Sequence, residues 1–208
     1  MSMRHSYILS FMMLIASSGI ATKTYAQSHN TEHLLKYGDM NSWVVRHIHE
    51  SAVIGGQTKT LYEIGPNSTI EGNKAYTNKG GSPWGTSNVM AKVMGVVKTN
   101  CSVTRDKHNN GYCAKMTTHI ESVKVLGLMN INVLAAGSIF LGSMAEPITG
   151  TKDGPKALNW GIPFNKRPKA VKYDYRVQAV GGKSRIKQTG FSKKSTVAGQ
   201  DYAITVLV

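Results

Sequence analysis

The sequence predicts an all-β fold, a sandwich or jelly roll built from short strands. Of its 208 residues, 21 are glycine and only 17 % are charged, whereas an ordinary soluble domain is about 25 % charged. Several segments alternate apolar and polar residues, and clusters of Gly, Pro and Asn separate them, which is the pattern of strands joined by turns. The hydrophobic content of 41 % is enough for a packed core and excludes a wholly disordered chain.

The strand pattern recurs along most of the chain after residue 40. Its members are Trp43–His49, Met90–Thr99, Tyr112–Ile120, Val123–Leu128 and alternate positions from Ile131 to Leu141. The strictest alternation runs from Val171 to Ala179 and is typical of a strand with one buried and one solvated face. No repeat of fixed period and no long linker divides this region, so we expect one β domain over residues 41–208.

A shorter segment, residues 27–40, leads into that domain. Asn30 and Gly38 have the positions of an N-cap and a terminating glycine, so the segment predicts one short helix. At the other end of the chain, Tyr202–Val208 is a further apolar strand. It indicates either a paired terminal strand or a domain that continues further, in which case the chain is truncated at its C-terminus.

Residues 1–26 have the features of a secretory signal peptide. Arg4 provides a basic start, a mostly apolar block runs from Tyr7 to Ile20, and Thr24 and Ala26 place small residues before a cleavage site. The block is shorter than the roughly 20 residues that a membrane-spanning helix needs. We therefore expect an exported protein, periplasmic or extracellular. The alternative is an N-terminal helix buried in the fold.

Cys101 and Cys113 are the two cysteines of the chain, and export would let them persist as a disulfide. The intervening run Asp106–Gly111 ends in Asn-Gly, which favours a hairpin turn. With that turn near the middle of the segment, the two cysteines are predicted to face each other across the hairpin. The alternative is a pair of free buried thiols. A zinc site is not expected, because a second pair of ligands at zinc-finger spacing is missing.

No motif of a known catalytic or cofactor site is present. The sequence lacks HExxH, GxSxG, a P-loop and the Rossmann glycine pattern, and no two of its 11 acidic residues stand out as a catalytic pair. His47 and His49 share one side of a predicted strand, but zinc needs a third and usually a fourth ligand. We therefore predict no metal, no cofactor and no catalytic residue, and an enzymatic role stays an alternative.

The chain is strongly basic, with a net charge of +14. From Thr151 onward there are 12 Lys and Arg against 3 acidic residues, and two dense clusters, Lys166–Lys169 and Lys183–Lys187, lie in this region. Such a patch would suit nucleic acid, but the expected export argues against that partner. The remaining interpretations are a solvated basic sheet face, or contact with an acidic polysaccharide or an anionic envelope surface.

Aromatic residues in turn-rich segments are the candidate ligand contacts. Trp84 lies among Gly, Ser, Pro and Asn, with Tyr76, Asn78 and Asn88 nearby as hydrogen-bonding groups, and Trp160 has a similar context. The amphipathic rings of Trp and Tyr suit half-exposed sites and stack on the apolar faces of sugars. These five residues form the predicted binding site. The alternative is that each Trp closes one end of the core.

Five short sequence motifs occur in a fixed order along the chain. They are Tyr37–Trp43, Ser82–Asn88, Gly111–Thr118, Ala136–Gly142 and Gly161–Lys169. Together they resemble the "putative carbohydrate metabolism domain" family of exported bacterial proteins. The resemblance implies a jelly-roll β-sandwich like that of carbohydrate-binding modules and a role in handling glycans. It carries over no catalytic residues, and members of the family usually continue for several strands beyond a segment such as Tyr202–Val208.

Three functions are open at this level. The first is an exported module that binds a glycan without catalysis and uses Trp84 or Trp160 as a stacking platform. The second is a structural or adhesive surface protein that binds a protein partner and keeps both Trp residues in its core. The third is a glycan-acting enzyme, which would need two carboxylates about 5–10 Å apart in a cleft. The oligomeric state is not predicted.

Overall fold

The computed structural model describes residues 32–125, 129–150, 153–178, 184–189 and 193–199. The chain separates into two compact units, Met1–His33 and Leu34–Val208, and every element given below belongs to the second unit. The expected signal peptide over residues 1–26, the Asn30 cap and the expected strand Tyr202–Val208 lie outside the described residues. No helix in the described part is long and apolar enough to cross a membrane.

The described residues form fourteen strands and two single-turn 3-10 helices, and the predicted all-β class is confirmed. The strands are β1 (Trp43–His49), β2 (Thr58–Ile64), β3 (Ser68–Glu71), β4 (Trp84–Thr86), β5 (Val89–Val93), β6 (Val96–Asn100), β7 (Val103–His108), β8 (Gly111–Met116), β9 (His119–Val125), β10 (Met129–Ala135), β11 (Ile139–Met144), β12 (Leu158–Trp160), β13 (Ser184–Thr189) and β14 (Lys193–Ala198). The two 3-10 turns are Ala52–Ile54 and Pro155–Ala157.

Two three-stranded sheets and four hairpins organise the strands of the described residues. The first sheet has the order β2-β1-β3, with β1 antiparallel to β2 and parallel to β3. The second sheet has the order β12-β11-β4 and is antiparallel throughout. The hairpins are β5–β6, β7–β8, β9–β10 and β13–β14. Strand β1 is therefore a central strand, paired on both sides.

Strand β1 is buried along one whole face. Successive side chains of a strand point to opposite faces, and Val44, Arg46 and Ile48 on one of these faces are each fully buried. On the other face, the buried Trp43 donates its indole N–H to the carbonyl of Met40 at 2.7 Å. An arginine therefore occupies the middle of a buried face, where arginine is rare unless it is paired.

Two apolar clusters pack the sheets and hairpins face to face, in the manner of a sandwich. The cluster between the β2-β1-β3 sheet and the β5–β6 hairpin consists of Ile48, Leu61, Met90 and Val97. The cluster between the same sheet and β7 consists of Trp43, Ile64 and Val103. Each fully buried large apolar side chain stabilises the fold by about 1.5–3 kcal/mol. These two clusters therefore provide the main apolar stabilisation of the sandwich.

Three expected elements differ in the structure. The described part of the lead-in, residues 32–40, forms turns in place of the expected helix. The expected strand Met90–Thr99 is a hairpin, because Met94 and Gly95 adopt positive φ angles of 50° and 81° and reverse the chain. Residues 171–178 are exposed and lie outside any described strand, although their alternation is strict. Alternation tells which side chains share a face, and it does not supply a partner strand.

The expected disulfide is absent, and both cysteines are free thiols. The hairpin itself is confirmed, with its turn at Asn109 and Asn110 between β7 and β8. In its register Cys113 lies opposite Asp106, whereas Cys101 precedes β7 and packs against the first apolar cluster. The turn lies too near Cys113 in the sequence for the two cysteines to meet across it.

Candidate functional site

An aromatic pair forms an exposed surface on the β12-β11-β4 sheet. Trp160 is 69 % exposed. Its ring centre lies 4.9 Å from that of Phe140, with 51° between the ring planes, a separation in the range that aromatic pairs prefer. Trp160 therefore packs against a second ring, and most of its surface is exposed to solvent.

Glycines lie opposite both rings in the register, and Gly85 leaves room for the ring of Phe140. Gly85 is the register partner of Phe140, and Gly142 is that of Trp160. A Cβ atom added to Gly85 would lie 2.6 Å from Cζ of Phe140. Gly142 has a φ of +138°, and a Cβ atom there would lie 2.1 Å from the carbonyl oxygen of Asn159. Neither position accepts a side chain, so the Phe140 ring can lie directly over the backbone of β4.

A cleft of about 510 Å³ lies next to β12, and neither Trp160 nor Phe140 lines it. Asn159 lines the cleft, and the side chain of Trp160 points to the other face of the strand. The cleft walls include Asn159 and Gly161, the neighbours of Trp160 in the sequence, and Gly142, its partner in β11. Tyr76 and Asn78, two further residues of the predicted site, also line the cleft. The structure therefore brings Tyr76 and Asn78 into one cleft and places both sequence neighbours of Trp160 in its wall.

Asn78 is held in one orientation by three backbone carbonyls. Its Nδ2 donates to the carbonyl oxygens of Ser82, Trp84 and Gly142 at 3.0, 3.1 and 2.9 Å. These three acceptors identify the amide nitrogen, so the amide oxygen points the other way. In that position Oδ1 can accept a hydrogen bond from a ligand in the cleft.

Tyr76 lines the cleft and also belongs to a buried network beneath it. Its ring lies against the guanidinium of Arg46, whose Cζ is 5.1 Å from the ring centre. Its backbone N–H donates to Glu146 at 2.9 Å. Burial is the main cause that raises the pKa of Tyr76 to about 12, so the phenol is protonated at neutral pH.

Arg46 and Glu146 form the centre of that network. The guanidinium donates to both carboxylate oxygens, from Nη1 at 3.0 Å and from Nη2 at a shorter distance. The same carboxylate accepts the backbone N–H groups of Tyr76 at 2.9 Å and Met90 at 2.8 Å. The side chains of Arg46 and Glu146 are 0 % and 1 % exposed. Each Glu146 oxygen therefore accepts two hydrogen bonds, and the carboxylate is fully engaged.

Glu63 is a second carboxylate on the same guanidinium. Its Oε1 accepts from Arg46 Nη1 at 2.9 Å, and its Oε2 accepts from the Thr86 hydroxyl at 2.6 Å. Two carboxylates thus share one buried cation. Burial is the main cause that raises the pKa of Glu63 to about 7, and the contacts with Thr86 and Arg46 oppose the rise. At neutral pH Glu63 is therefore partly protonated, which removes the excess negative charge.

The two carboxylates are close together, and Glu146 lines the cleft whereas Glu63 does not. Both bind Nη1 of Arg46, but the side chains of Glu63 and Glu146 are only 4 % and 1 % exposed. A carboxylate pair that hydrolyses a glycoside must flank the scissile bond of the sugar. The arrangement therefore ties distant segments of the sandwich together, and both oxygens of the cleft-lining Glu146 are already engaged in hydrogen bonds within the protein.

Of the other two predicted residues, Asn88 is buried in the core and Trp84 is half-buried at its margin. Trp84 packs at the margin of the second apolar cluster, and its indole N–H donates to the carbonyl of Lys36 at 2.8 Å. Asn88 is 1 % exposed. Its amide donates to two backbone carbonyls and accepts from two backbone N–H groups. These contacts account for both side chains without a ligand, so we leave them out of the binding site.

His47 and His49 pair with neighbours across strands. His47 contacts Glu71 at 2.7 Å, and His49 contacts the hydroxyl of Thr58 at 3.1 Å. Each contact joins register partners of adjacent strands, which stabilises a sheet. Within the described residues, no group of three or more His, Cys, Asp or Glu side chains could hold a metal ion.

Sequence reasoning missed Phe140 and the buried network. One usable signal was Arg46 itself, which stands between Val44 and Ile48 at alternate positions of a strand. A charge on a buried face requires a partner of opposite charge. No signal pointed to Glu146, which lies 100 residues further along the chain. Phe140 gains its role only through the register that brings it beside Trp160.

The comparison with protein families places this cleft in a known domain. The family model described as "Putative carbohydrate metabolism domain" matches residues 57–203, more than half of the chain. The chain belongs to this family. The match confirms the resemblance to this family that the five sequence motifs indicated. No curated protein and no solved structure matches the chain.

The matched carbohydrate metabolism domain contains the whole cleft and both rings of the aromatic pair. Strand β1 precedes residue 57, where the match begins. Through Arg46, β1 nevertheless supplies the guanidinium that binds Glu63 and Glu146 inside the matched region. The fold around the cleft therefore includes a strand from outside the matched range.

Proposed function

We propose that this protein is an exported module that binds a glycan, without catalysis, at the aromatic pair and the cleft next to β12. The observation that carries the proposal is the exposure of Trp160, a large aromatic residue held in place by Phe140. The apolar C–H face of a sugar ring stacks on such a ring, whose amphipathic character suits a half-wet site. Membership of a carbohydrate metabolism family supports the same ligand class.

Polar groups in the cleft suit the hydroxyl groups of a sugar. Asn78 offers its oriented amide oxygen, and Asn159 and Ser143 line the same cleft with a hydrogen bond of 3.3 Å between them. Amides and hydroxyls both donate and accept, as sugar hydroxyls do. The volume of about 510 Å³ falls within the roughly 300–1,000 Å³ of small-molecule sites, which accommodates a short stretch of sugar rings.

Two further observations support the remaining parts of the proposal. Glu63 does not line the cleft, and Glu146 lines it with a side chain that is 1 % exposed and accepts four hydrogen bonds within the protein. The engagement of these two carboxylates favours binding over hydrolysis. The basic start, apolar block and small residues of residues 1–26 favour export. The ligand then belongs to the cell envelope or its surroundings.

Replacement of Trp160 tests the proposal. A glycan array on the purified protein identifies a ligand, and titration calorimetry then compares wild type, Trp160→Ala and Trp160→Phe. We expect Trp160→Ala to weaken binding at least about tenfold, as loss of an aromatic anchor does, and Trp160→Phe to keep most of the affinity. Because Trp160 is mostly exposed, Trp160→Ala should shift the melting temperature by no more than about 4 °C.

Leu34→Ala is the matched control, because Leu34 is a large apolar residue with 74 % exposure that does not line the cleft. It should leave the Kd unchanged. Equal affinity of wild type and Trp160→Ala for the identified glycan would overturn the proposed site. A folded protein that binds no glycan on the array would favour the structural or adhesive function instead.

A further inference from the structure

We infer that the glycan is anionic, and that the exposed segment of residues 161–178 is the surface on which an acidic polysaccharide docks. The inference rests on the proposed function, since it extends the Trp160 site along the chain. Gly161 and Ile162, which directly follow Trp160, line the cleft. From residue 163 to residue 178 every residue is exposed. The segment therefore leads from the cleft wall to the open surface.

The segment concentrates positive charge. Its basic residues are Lys166, Arg167, Lys169, Lys172 and Arg176. Asp174 is its one acidic residue, so 18 residues carry a net charge of +4. Residues 32–125 carry the same net charge of +4, from 11 basic and 7 acidic residues, over a length about five times greater. A partner that enters the cleft therefore meets a positively charged segment directly after Gly161 and Ile162, which attracts an anion.

The segment also carries exposed aromatic side chains on both sides of its main group of cations. Phe164, Tyr173 and Tyr175 are 57 %, 52 % and 75 % exposed. The rings of Tyr173 and Tyr175 lie 5.6 Å apart with 42° between their planes, so the two rings share one side of the segment. An acidic polysaccharide presents apolar sugar faces and anionic groups in turn along its length. Rings flanking Lys and Arg match both features.

A membrane surface fits these residues less well. Peripheral membrane segments commonly separate an apolar face from a basic face on a helix. Residues 161–178 form no helix, and cations and rings follow each other within two or three positions. Two of the three exposed rings are tyrosines, whose hydroxyl groups suit a hydrated polar partner. The acidic polysaccharide is therefore the partner that we assign.

The test uses one polysaccharide in two charge states. Polygalacturonate carries a carboxylate on each sugar, and its fully methyl-esterified form has the same backbone without the charge. We expect the wild-type protein to bind polygalacturonate about tenfold more tightly than the ester at low salt. The difference should shrink as the salt concentration rises, because exposed charges are screened.

Two triple variants test whether the preference for the charged polysaccharide depends on residues 161–178. Lys166→Gln, Arg167→Gln and Lys169→Gln together remove three cations of the segment and should weaken binding of polygalacturonate about tenfold, at about 0.5 kcal/mol for each exposed contact. Binding of the ester should not change. The matched control combines Lys92→Gln, Lys107→Gln and Lys115→Gln, three exposed cations elsewhere, and should retain at least half of the wild-type affinity for polygalacturonate.

Failure of the inference and failure of the Trp160 site give different results. Equal affinity for the two polysaccharides, or equal weakening by the two triple variants, overturns the inference and leaves the Trp160 site standing. Equal affinity of wild type and Trp160→Ala for both polysaccharides overturns the Trp160 site. Tighter binding to vesicles of phosphatidylglycerol and phosphatidylcholine, lost in the first triple variant, overturns the polysaccharide in favour of a membrane surface.

Discussion

Arg46 and Glu146 form a buried two-pronged ion pair between residues 100 positions apart in the chain. The same carboxylate binds the backbone N–H groups of Tyr76 and Met90. It therefore fixes β1, the segment at Tyr76 and β5 around one point. Because Tyr76 and Glu146 both contribute to the cleft, this contact also positions its walls.

Glu146→Ala should lower the free energy of unfolding by about 3–5 kcal/mol, the usual cost of removing one partner of a buried ion pair. The change leaves two backbone N–H groups without their carboxylate acceptor and removes two hydrogen bonds from Arg46. Denaturation in guanidinium chloride measures the loss. Asp106→Ala is the control, because its pair with Lys115 is exposed and should cost less than about 1 kcal/mol. Similar losses in both variants would contradict the role of Glu146.

Glu63 should make the stability depend on pH. Its pKa is raised by burial from 4.5 to about 7, so the folded state binds the proton more tightly than the unfolded state. The stabilisation is fully present below pH 4.5 and is lost as the pH rises through about 7. The free energy of unfolding should therefore fall by about 3 kcal/mol between pH 4.5 and pH 8. Denaturation curves at several pH values in that range measure the fall.

Glu63→Gln isolates this contribution, because glutamine resembles the protonated acid. The variant should be less sensitive to pH over the same range and as stable as wild type, or more stable, at pH 8. The groups facing Glu63 do not titrate there, since burial raises the pKa of Tyr76 to about 12 and that of Cys101 to about 11. Glu50 acts at lower pH and with the opposite sign, because its pKa is lowered and its stabilisation is lost as the pH falls. An unchanged pH profile in Glu63→Gln would refute the assignment.

Local patterns were sufficient for the class of the fold and for part of its strands. Strand β1 and the turn of the β7–β8 hairpin follow from alternation and from the Asn-Asn-Gly run, because both depend on neighbours in the sequence. The strand expected over residues 171–178 shows the limit. Alternation there is strict, but a strand also needs a partner whose position no local pattern contains.

The candidate site was predicted in the same partial way. Residue type and context led to Trp160, Tyr76 and Asn78, which stay proposed site residues. Trp84 has a similar context, yet it packs at the margin of a core cluster, because exposure depends on what distant strands place around a side chain. Arg46 and Glu146 are 100 residues apart in the sequence. Their pairing could therefore be found only from the folded structure.

Trp84→Ala should lower the free energy of unfolding by about 3 kcal/mol. The indole packs against the second apolar cluster and donates to the carbonyl of Lys36, so its removal leaves a cavity and an unused acceptor. Trp160→Ala, the matched removal of an exposed indole, should cost less than about 1 kcal/mol. Chemical denaturation of the two variants side by side measures both values. The reverse order of the two losses would exchange the roles of the two tryptophans.

The exported protein should begin at Gln27. Cleavage after Ala26 follows from the small residues at that site and from the apolar block before it. N-terminal sequencing of protein from the periplasm or the medium tests this prediction. Ala26→Arg replaces the small residue at the cleavage site and should leave a longer, unprocessed chain. Exported wild-type protein that still carries Met1 or Ser2 would contradict it.

Both cysteines should react as free thiols, at different rates. Burial is the main cause that raises the pKa of Cys101 to about 11, so little of it is present as the reactive thiolate at neutral pH. Cys101 also packs against the first apolar cluster, whereas Cys113 lies in the β7–β8 hairpin opposite Asp106. We expect an aromatic disulfide reagent to titrate Cys113 first in the native protein.

The single variants assign the two phases of that titration. Cys113→Ser should retain only the slow phase, and Cys101→Ser should retain only the fast phase. The denatured but unreduced protein should release two equivalents of thiol, because Cys113 lies opposite Asp106 in the hairpin and Cys101 precedes β7. Absence of thiol in that sample would mean that the cysteines are bonded, and the pairing of Cys113 with Asp106 would then have to be abandoned.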